Sequence, residues 1–344
     1  MLPAVSTLAP VSADILAERS LYVGLDHYAT GRIGEAITAY QSGLGIAAAA
    51  PDRVTAEIIA KLHSNLGNAH MTCGDLESAA ASYKAALRLS PDLTSCWCNL
   101  GNVQLQTGNA QQGIALYLQA LKTNPAHWPS RTNLAHALMA TKQHLIAKTL
   151  LLELAEERPH DAKVRQQLGK ACFELNELEA SLTHFQQALA LNPADADSLY
   201  WTGALRQQLG DIDAAQAAYA QATQIQPLIR RRAVKSPPDF RVLALYAPFA
   251  GNTPAEFLFK DAAYDTDTLA LFGTCAPDQA LLGDVHVVVN LISDADQARA
   301  LLPVAAQLAR SLGKPVVNEP ARIERTTRDN IAALLPDVPG CRIP

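Results

Sequence analysis

The order of small, large and proline positions repeats every 34 residues through the middle of this chain. Two positions of the repeat hold small residues, a third holds a large one, and a fourth holds proline. The small positions are Gly67, Gly101, Ala135, Gly169 and Gly203, then Ala79, Gly113, Ala147, Ser181 and Ala215. The large position holds Tyr83, Tyr117, Leu151, Phe185 and Tyr219, and the prolines are Pro91, Pro125, Pro159, Pro193 and Pro227. This period predicts five helical hairpins over residues 58–227.

Each repeated position has a physical cause in a helical hairpin. Small residues on both helices let the two backbones approach closely, and the large residue fills the space beside them. Proline cannot continue a helix and therefore ends each hairpin. The turns between paired helices are expected to hold left-handed residues, which are Gly74, Gly108, Asn176 and Gly210.

An earlier segment follows the same order with a longer second helix. Gly24, Gly31, Ala36 and Tyr40 keep the register, and the second helix is expected to run on to Pro51. We therefore predict a sixth, divergent hairpin at the N-terminus. The predicted helical domain covers residues 1–235.

The repeat resembles the tetratricopeptide (TPR) family over five units, with Trp97 at a position that the consensus often gives to tryptophan. The resemblance implies an α-solenoid of TPR hairpins whose first helices line a concave groove. It also implies a protein or peptide partner in that groove, and a scaffold that is not an enzyme.

One inward position of the groove reads Asn65, Asn99, Asn133, Gln167 and Trp201. The strings NLGN, NLGN and NLAH resemble the asparagine-ladder repeats of O-linked N-acetylglucosamine transferase, in which amides hold the backbone of an extended peptide. The inward neighbours expected to share the groove are Asn68, Asn102, His136 and Lys170, with Met71, Leu105, Met139 and Phe173 beside them. The alternative is that the asparagines make interhelical hydrogen bonds or face water.

Composition narrows the classes of protein. Hydrophobic residues make up 49% and charged residues 18% of the 344 residues, and the net charge is −5. We expect a globular chain without a nucleic-acid partner, because it has no basic field. No run of apolar residues suits a membrane span, and the start lacks a signal-peptide pattern, so we expect no membrane partner and a cytoplasmic location. Cys96 and Cys98 point apart on a helix, and no metal site is expected.

The sequence changes character after residue 235. Short β-rich runs at residues 241–247, 268–273, 284–291 and 314–319, with a helix over about 295–312, predict a small Rossmann-like α/β domain over residues 236–344. The basic run Arg230, Arg231, Arg232 and Lys235 precedes it. Its default interpretation is a solvated linker, and the alternative is an anion site.

The end of this domain is similar to the pre-ATP-grasp lobe of ATP-grasp ligases. The residues that match are Val317, Asn318, Pro320, Thr327, Arg328 and Asp329, and the alternative is a generic Rossmann-like domain. The resemblance would make the chain the N-terminal part of a protein-directed ligase whose catalytic lobe lies beyond it. We expect instead a domain without catalysis that serves for docking, because no nucleotide-binding motif and no metal-ligand set occurs in it.

Any small ligand of this domain is expected beyond the carboxyl ends of its strands. The candidate residues are Asn252, Thr253, Asn290, Ser293 and Asn318, together with Gly251 and Asp294. Ser293 and Asp294 are equally well explained as helix caps. No cofactor is expected.

Overall fold

The computed structural model describes residues 12–248, 252–254, 256–271, 282–327 and 330. The chain forms two compact units, Met1–Leu191 and Asn192–Pro344. Arg328, Asp329 and Gly251, which the sequence analysis singled out, lie outside the described residues. None of the helices in the described ranges has the length and apolar character needed to cross a bilayer.

The first unit consists of five antiparallel helical hairpins. Their helices are α1 (Ala13–Ala29), α2 (Ile33–Ala49), α3 (Ala56–Thr72), α4 (Leu76–Leu89), α5 (Thr94–Gln106), α6 (Ala110–Thr123), α7 (Trp128–Ala140), α8 (His144–Glu157), α9 (Ala162–Glu174) and α10 (Leu178–Leu191). The divergent N-terminal hairpin is α1 with α2, whose second helix ends before Pro51 as predicted. The helical solenoid predicted from the period is confirmed.

The two helices of a hairpin meet where a glycine faces an aromatic ring. A Cβ atom added to Gly101 would lie 2.6 Å from the ring of Tyr117, so only glycine leaves room for that ring. The same contact joins Gly24 to Tyr40, Gly67 to Tyr83, and Gly169 to Phe185. Each of these rings is buried. The large residue therefore lies against the glycine of its own hairpin, rather than only filling the space towards the next one.

Left-handed residues end the first helix of each hairpin, as the sequence predicted. Gly74 and Gly108 have φ of 76° and 81°, and Asn176 has φ of 59°. Lys142 takes the equivalent position with φ of 60°. The prolines stand two residues beyond the second helices, as at Pro91 after α4 and Pro125 after α6.

The second unit begins with a sixth hairpin and continues into a mixed sheet. The hairpin is α11 (Ala196–Gln208) with α12 (Ile212–Ile225), and its glycine and ring are Gly203 and Tyr219. The strands are β1 (Leu228–Arg231), β2 (Arg241–Tyr246), β3 (Asp265–Ala270), β4 (Val287–Asn290) and β5 (Val316–Val317), with helices α13 (Glu256–Phe259), α14 (Leu302–Leu312) and α15 (Pro320–Ile323). The sheet order is β1-β3-β2-β4-β5, with β1 antiparallel and the others parallel.

One face of the sheet carries most of the core of this unit. Leu243, Leu245 and Val288 pack there against α14, through Leu302 and Leu308. The other face has a smaller cluster around Val242, Ala244 and Phe259. The parallel strands point to α/β layering, while the antiparallel edge strand makes the sheet mixed.

The four predicted strands are present, but β1 was not predicted. It lies in the basic run that the sequence analysis took for a linker, and it follows α12 after only Gln226 and Pro227. The sixth hairpin and the sheet belong to the same compact unit, Asn192–Pro344. The helix predicted from residue 295 begins at Leu302, because residues 296–301 form turns.

The contact between glycine and ring predicts opposite effects for two Gly→Ala substitutions. We expect Gly101→Ala to destabilise the protein by about 1–3 kcal/mol, because the new methyl group collides with the Tyr117 ring. Gly45→Ala, on an exposed position of α2 where a Cβ meets no other atom, should stabilise by up to about 1 kcal/mol through helix propensity. Thermal melting by circular dichroism measures both, and equal shifts of the same sign would contradict the packing argument.

Candidate functional site

The first helices of the hairpins in the unit Met1–Leu191 form one continuous row. Contacts join α1 to α3, α3 to α5, α5 to α7, and α7 to α9. Equivalent side chains on these helices therefore recur along one surface, as the 34-residue period requires. We call this surface the first-helix face.

Hydrogen bonds between amides and phenols tie neighbouring first helices together. Asn68 Oδ1 on α3 accepts a hydrogen bond from the Tyr83 hydroxyl at 2.8 Å. The same oxygen accepts a second one from Asn99 Nδ2 on α5 at 2.9 Å. One carbonyl oxygen thus joins both helices of its own hairpin to the next hairpin.

The arrangement repeats one period later. Asn102 Oδ1 accepts from the Tyr117 hydroxyl at 2.7 Å and from Asn133 Nδ2 at 2.8 Å. Burial raises the pKa of Tyr117, so its hydroxyl stays protonated and remains a donor. Asn65 has no such neighbour and donates to the carbonyl oxygen of Lys61 at 2.8 Å. One half of each amide of Asn68, Asn99, Asn102 and Asn133 therefore makes an interhelical hydrogen bond, whereas Asn65 bonds within its own helix.

The other half of each amide makes no hydrogen bond within the described part of the chain. Asn68 and Asn102 each have a side-chain NH₂ group with no protein acceptor, and Asn99 and Asn133 each have an Oδ1 atom with no protein donor. All four residues are half-buried. Unused donors and acceptors thus alternate along the first-helix face.

The second asparagine occurs only in repeats that carry a tyrosine, although the sixth hairpin keeps Tyr219 with Ala204 at that position, and the Tyr219 hydroxyl donates to Gln207 Oε1 at 3.3 Å. Where Leu151 or Phe185 replaces tyrosine, the position of the second asparagine holds His136 or Lys170. In the first hairpin, Tyr40 is kept but Leu25 takes the asparagine position, next to Gly24. The Tyr40 hydroxyl is buried and has no hydrogen-bond partner among the described residues. Burial raises the pKa of Tyr40 to about 12.

The remaining predicted groove residues are spread over both units. His136 on α7 is exposed, while Gln167 and Lys170 on α9 are half-buried. Trp201 belongs to α11 in the second unit, where it lines a cavity of about 360 Å³ with Tyr200 and Tyr219.

Two buried thiols lie beside the amide network. Cys96 Sγ is 3.1 Å from Ser64 Oγ, and Cys98 Sγ is 3.6 Å from Asn133 Nδ2. Burial raises the pKa of both thiols, so they are protonated packing groups rather than nucleophiles.

The amides predicted as ligand residues of the second unit are engaged by the main chain. Asn252 bonds to both polar main-chain groups of Ala247. Asn290 bonds to Ile292, and Asn318 donates to the carbonyl oxygen of Asn290. These bonds hold together the loops that follow β2, β4 and β5.

The two predicted hydroxyl residues lie at different places. Thr253 lines a cavity of about 500 Å³, while Ser293 is exposed in the loop after β4.

Sequence reasoning missed the tyrosines as partners of the asparagines, and Arg231 as a lining residue of the 500 Å³ cavity. The occurrence of tyrosine and asparagine in the same two repeats could have revealed the tyrosines as partners. If β1 had been recognised as a strand, the alternation of its side chains could have placed Arg231 on the cavity side of the sheet.

The amide–phenol bond should be transferable to the first hairpin. We expect a gain of about 0.5–1.5 kcal/mol for Leu25→Asn in the presence of the Tyr40 hydroxyl relative to its absence, because the new amide gives that hydroxyl an acceptor. Leu25 is 37% exposed, so its replacement also loses apolar burial, and this loss is common to both backgrounds. A double-mutant cycle of denaturant unfolding with Tyr40→Phe measures the difference. An equal effect in both backgrounds would mean that the new amide does not bond to Tyr40.

Comparisons with known proteins agree with this architecture. A family model described as TPR repeat matches residues 67–108 and 169–210, and one described as tetratricopeptide repeat matches residues 94–127 and 196–227. A search of curated proteins finds no match.

Among three of the solved structures that match, one aligns well enough to show the same kind of fold, and the other two align less closely. A structure of PilF from Pseudomonas aeruginosa aligns with a TM-score of 0.53 and 17% identity, over 62% of this chain and 94% of that one. MamA from Desulfovibrio magneticus RS-1 aligns with a TM-score of 0.46 and 22% identity, over 48% and 94%. YrrB, described as a TPR protein with an unusual peptide-binding site, aligns with a TM-score of 0.42 and 23% identity, over 48% and 86%.

The 34-residue period, the glycine–ring contacts within five of the six described hairpins and the matches to the family models lead to one conclusion. This chain carries tetratricopeptide repeats stacked as a helical solenoid.

Proposed function

We propose that the protein is an interaction scaffold that binds an extended polypeptide segment along the first-helix face. The observation that supports this most directly is the series of unused amide groups on Asn68, Asn99, Asn102 and Asn133. A solenoid presents such groups at a constant interval, which suits a partner that is itself extended.

The orientation of the amides determines what each could bind. Asn99 and Asn133 offer Oδ1 as an acceptor for a peptide N–H, and Asn68 and Asn102 offer Nδ2 as a donor to a peptide C=O. Every peptide unit carries both groups, so the partner would be held through its main chain. Such contacts give affinity with little dependence on the partner's side chains.

The amides are fixed in position before any partner arrives. Their structural bonds to Tyr83, Tyr117 and each other restrain the side-chain rotamers. A preorganised amide loses little conformational entropy on binding, and more of its interaction energy then appears as affinity.

Side chains beside the ladder would supply the remaining selectivity. Met71, Leu105 and Met139 are half-buried on the first helices. Thioether and aliphatic groups adapt to differently shaped partners. His136, Gln167 and Lys170 would add polar contacts towards the last helices of the first unit.

An isosteric substitution separates binding from folding. In the double variant Asn68→Asp and Asn102→Asp, the Oδ1 acceptors of Tyr83 and Tyr117 remain, but each donating NH₂ group becomes a carboxylate oxygen. For a peptide selected from a display library on the wild-type protein, we expect binding to weaken by about tenfold or more, because two donors to peptide carbonyls are lost. Calorimetry measures the affinity, and the melting temperature should stay near that of the wild type.

Two controls belong to this experiment. Asn124→Asp together with Asn192→Asp makes the same charge change at exposed positions after α6 and α10 and should leave the affinity unchanged. Methylating the backbone nitrogens of the peptide should weaken binding more than scrambling its side chains. If the double Asp variant keeps its fold and its affinity, the proposal that these asparagines bind the peptide main chain is wrong.

For the second unit we propose a non-catalytic docking domain, against the alternative of a lobe that continues into an ATP-grasp ligase. The passage that resembles the pre-ATP-grasp lobe runs from β5 into α15. Asn318 there is left-handed with φ of 60°, Pro320 opens α15, and Thr327 is buried. This geometry suits a rigid connection as well as it suits a binding lobe.

An assay of ATP hydrolysis distinguishes the docking domain from the ligase lobe. We expect the 344-residue chain to hydrolyse no ATP above the uncatalysed background, with or without a peptide bound to the first-helix face, because the motifs that hold a triphosphate are absent from its sequence. A coupled assay for inorganic phosphate measures this. Peptide-stimulated ATP turnover that survives repurification would favour the ligase.

A further inference from the structure

The mixed sheet distributes its charges unequally between its two faces. Asp267 is 3% exposed, and both Arg230 and Arg241 lie against its carboxylate. Arg232 pairs with Asp265 at 2.7 Å. The charges on and beside the face covered by α14 are therefore largely neutralised within the protein.

Alternation along β1 places Arg231 on the opposite face from Arg230. Arg231 is exposed and has no carboxylate partner among the described residues. It is thus the member of the basic run whose charge the described part of the protein leaves uncompensated.

Arg231 lines a cavity of about 500 Å³, together with Tyr246 from β2 and Thr268 from β3. Thr253 and Asn252, from the loop after β2, complete the polar lining, and the Asn252 amide bonds to the main chain of Ala247. The hydroxyls of Tyr246, Thr253 and Thr268 make no hydrogen bond to any described residue, and no described carboxylate lines this cavity. The polar groups are hydrogen-bond donors around one positive charge.

A further hydroxyl on the same face has no partner. Thr266 pairs directly with Arg231 in the β1–β3 register, and it is 1% exposed. Its Oγ1 atom has no hydrogen-bond partner among the described residues. A buried hydroxyl without a partner costs free energy, but Thr266 is not among the residues that line the cavity.

The position of the cavity in the sheet agrees with a ligand site. Tyr246 ends β2, and Leu291, which also lines the cavity, follows β4. Strand β2 lies between β3 and β4, so the chain passes to opposite sides of it in succession. Open parallel sheets bind ligands at such a reversal of strand order, beyond the carboxyl ends of the strands. Tyr246 and Leu291 lie at that end, whereas Arg231 pairs with Thr266 near the amino end of β3, so the cavity extends along the face of the sheet.

We infer that this cavity binds a small molecule carrying a carboxylate or phosphate group. The Arg231 guanidinium offers two parallel N–H donors to such an oxyanion, and the Thr268 hydroxyl on the same face is available for one of its remaining oxygens. Thr253 lies at the other end of the cavity, beside Leu291. Phe259 and Leu291 provide an apolar wall for the body of the ligand. A neighbouring cavity shares Arg231 and Phe259 and adds Lys260 and Asp261. This site is independent of peptide binding on the first-helix face.

Three probes of nearly one shape test the charge requirement on the full chain. Benzoate and phenyl phosphate carry the two oxyanions, and benzamide is the neutral counterpart of benzoate. We expect saturable binding of at least one anion by calorimetry or ligand-observed NMR, about tenfold or more tighter than benzamide. The anion that binds more tightly identifies carboxylate or phosphate as the ligand group.

Substitutions locate the site. Arg231→Gln should weaken anion binding to the level of benzamide, and Thr268→Val should weaken it by about two- to fivefold. Arg310→Gln removes an equal charge from an exposed position on α14, on the other face of the sheet, and should change nothing. Circular dichroism verifies that each variant folds. If Arg231→Gln does not fold, Thr268→Val is the variant that decides the test.

Three results would overturn the inference. Equal affinity for benzoate and benzamide would make the cavity a purely apolar site. An equal loss in Arg310→Gln would attribute binding to the general field of the protein. Absence of saturation for every probe at about 10 mM would leave no site of useful affinity.

Discussion

The close approach of two helices over a glycine is the constraint on which the repeat depends. At Gly101 the Tyr117 ring occupies the space that a methyl group would need, and Gly67 and Tyr83 repeat the contact one period earlier. This packing brings the tyrosine hydroxyl to the edge of the first helix, where an amide can accept its hydrogen bond. The polar network on the first-helix face is therefore a consequence of apolar packing inside each hairpin.

That coupling explains how one residue type can serve the fold and a partner together. An asparagine side chain has a donor half and an acceptor half, and the structure uses one half of each. The bonds within the solenoid orient the amide, and the other half remains available at the surface. A hydroxyl or a carboxylate could not divide its roles in this way, because it has no separate donating and accepting ends. We therefore regard structural and binding roles for these asparagines as compatible.

In the second unit, the alternation of side chains along the strands places the charged residues on different faces of the sheet. The buried Asp267 draws Arg230 and Arg241 to one face, since an unpaired buried carboxylate would be costly. Arg231 is left on the other face, beside hydroxyls without partners. A basic run of three arginines thus becomes two structural cations and one that is available to a ligand.

The sequence alone determined the hairpins, their turns and their number, because a 34-residue period of small, large and proline positions is a local and repeated signal. It also located four of the five strands through their apolar runs. It could not show that Tyr83 and Tyr117 bond to Asn68 and Asn102, since hydrogen bonds across helices depend on distances that only packing sets. The sequence did not predict strand β1 either, because Leu228–Arg231 is too polar to be recognised as a strand and forms one only by pairing with β3. Only the tertiary structure therefore decided which polar groups form hydrogen bonds or ion pairs within the protein and which remain available for binding.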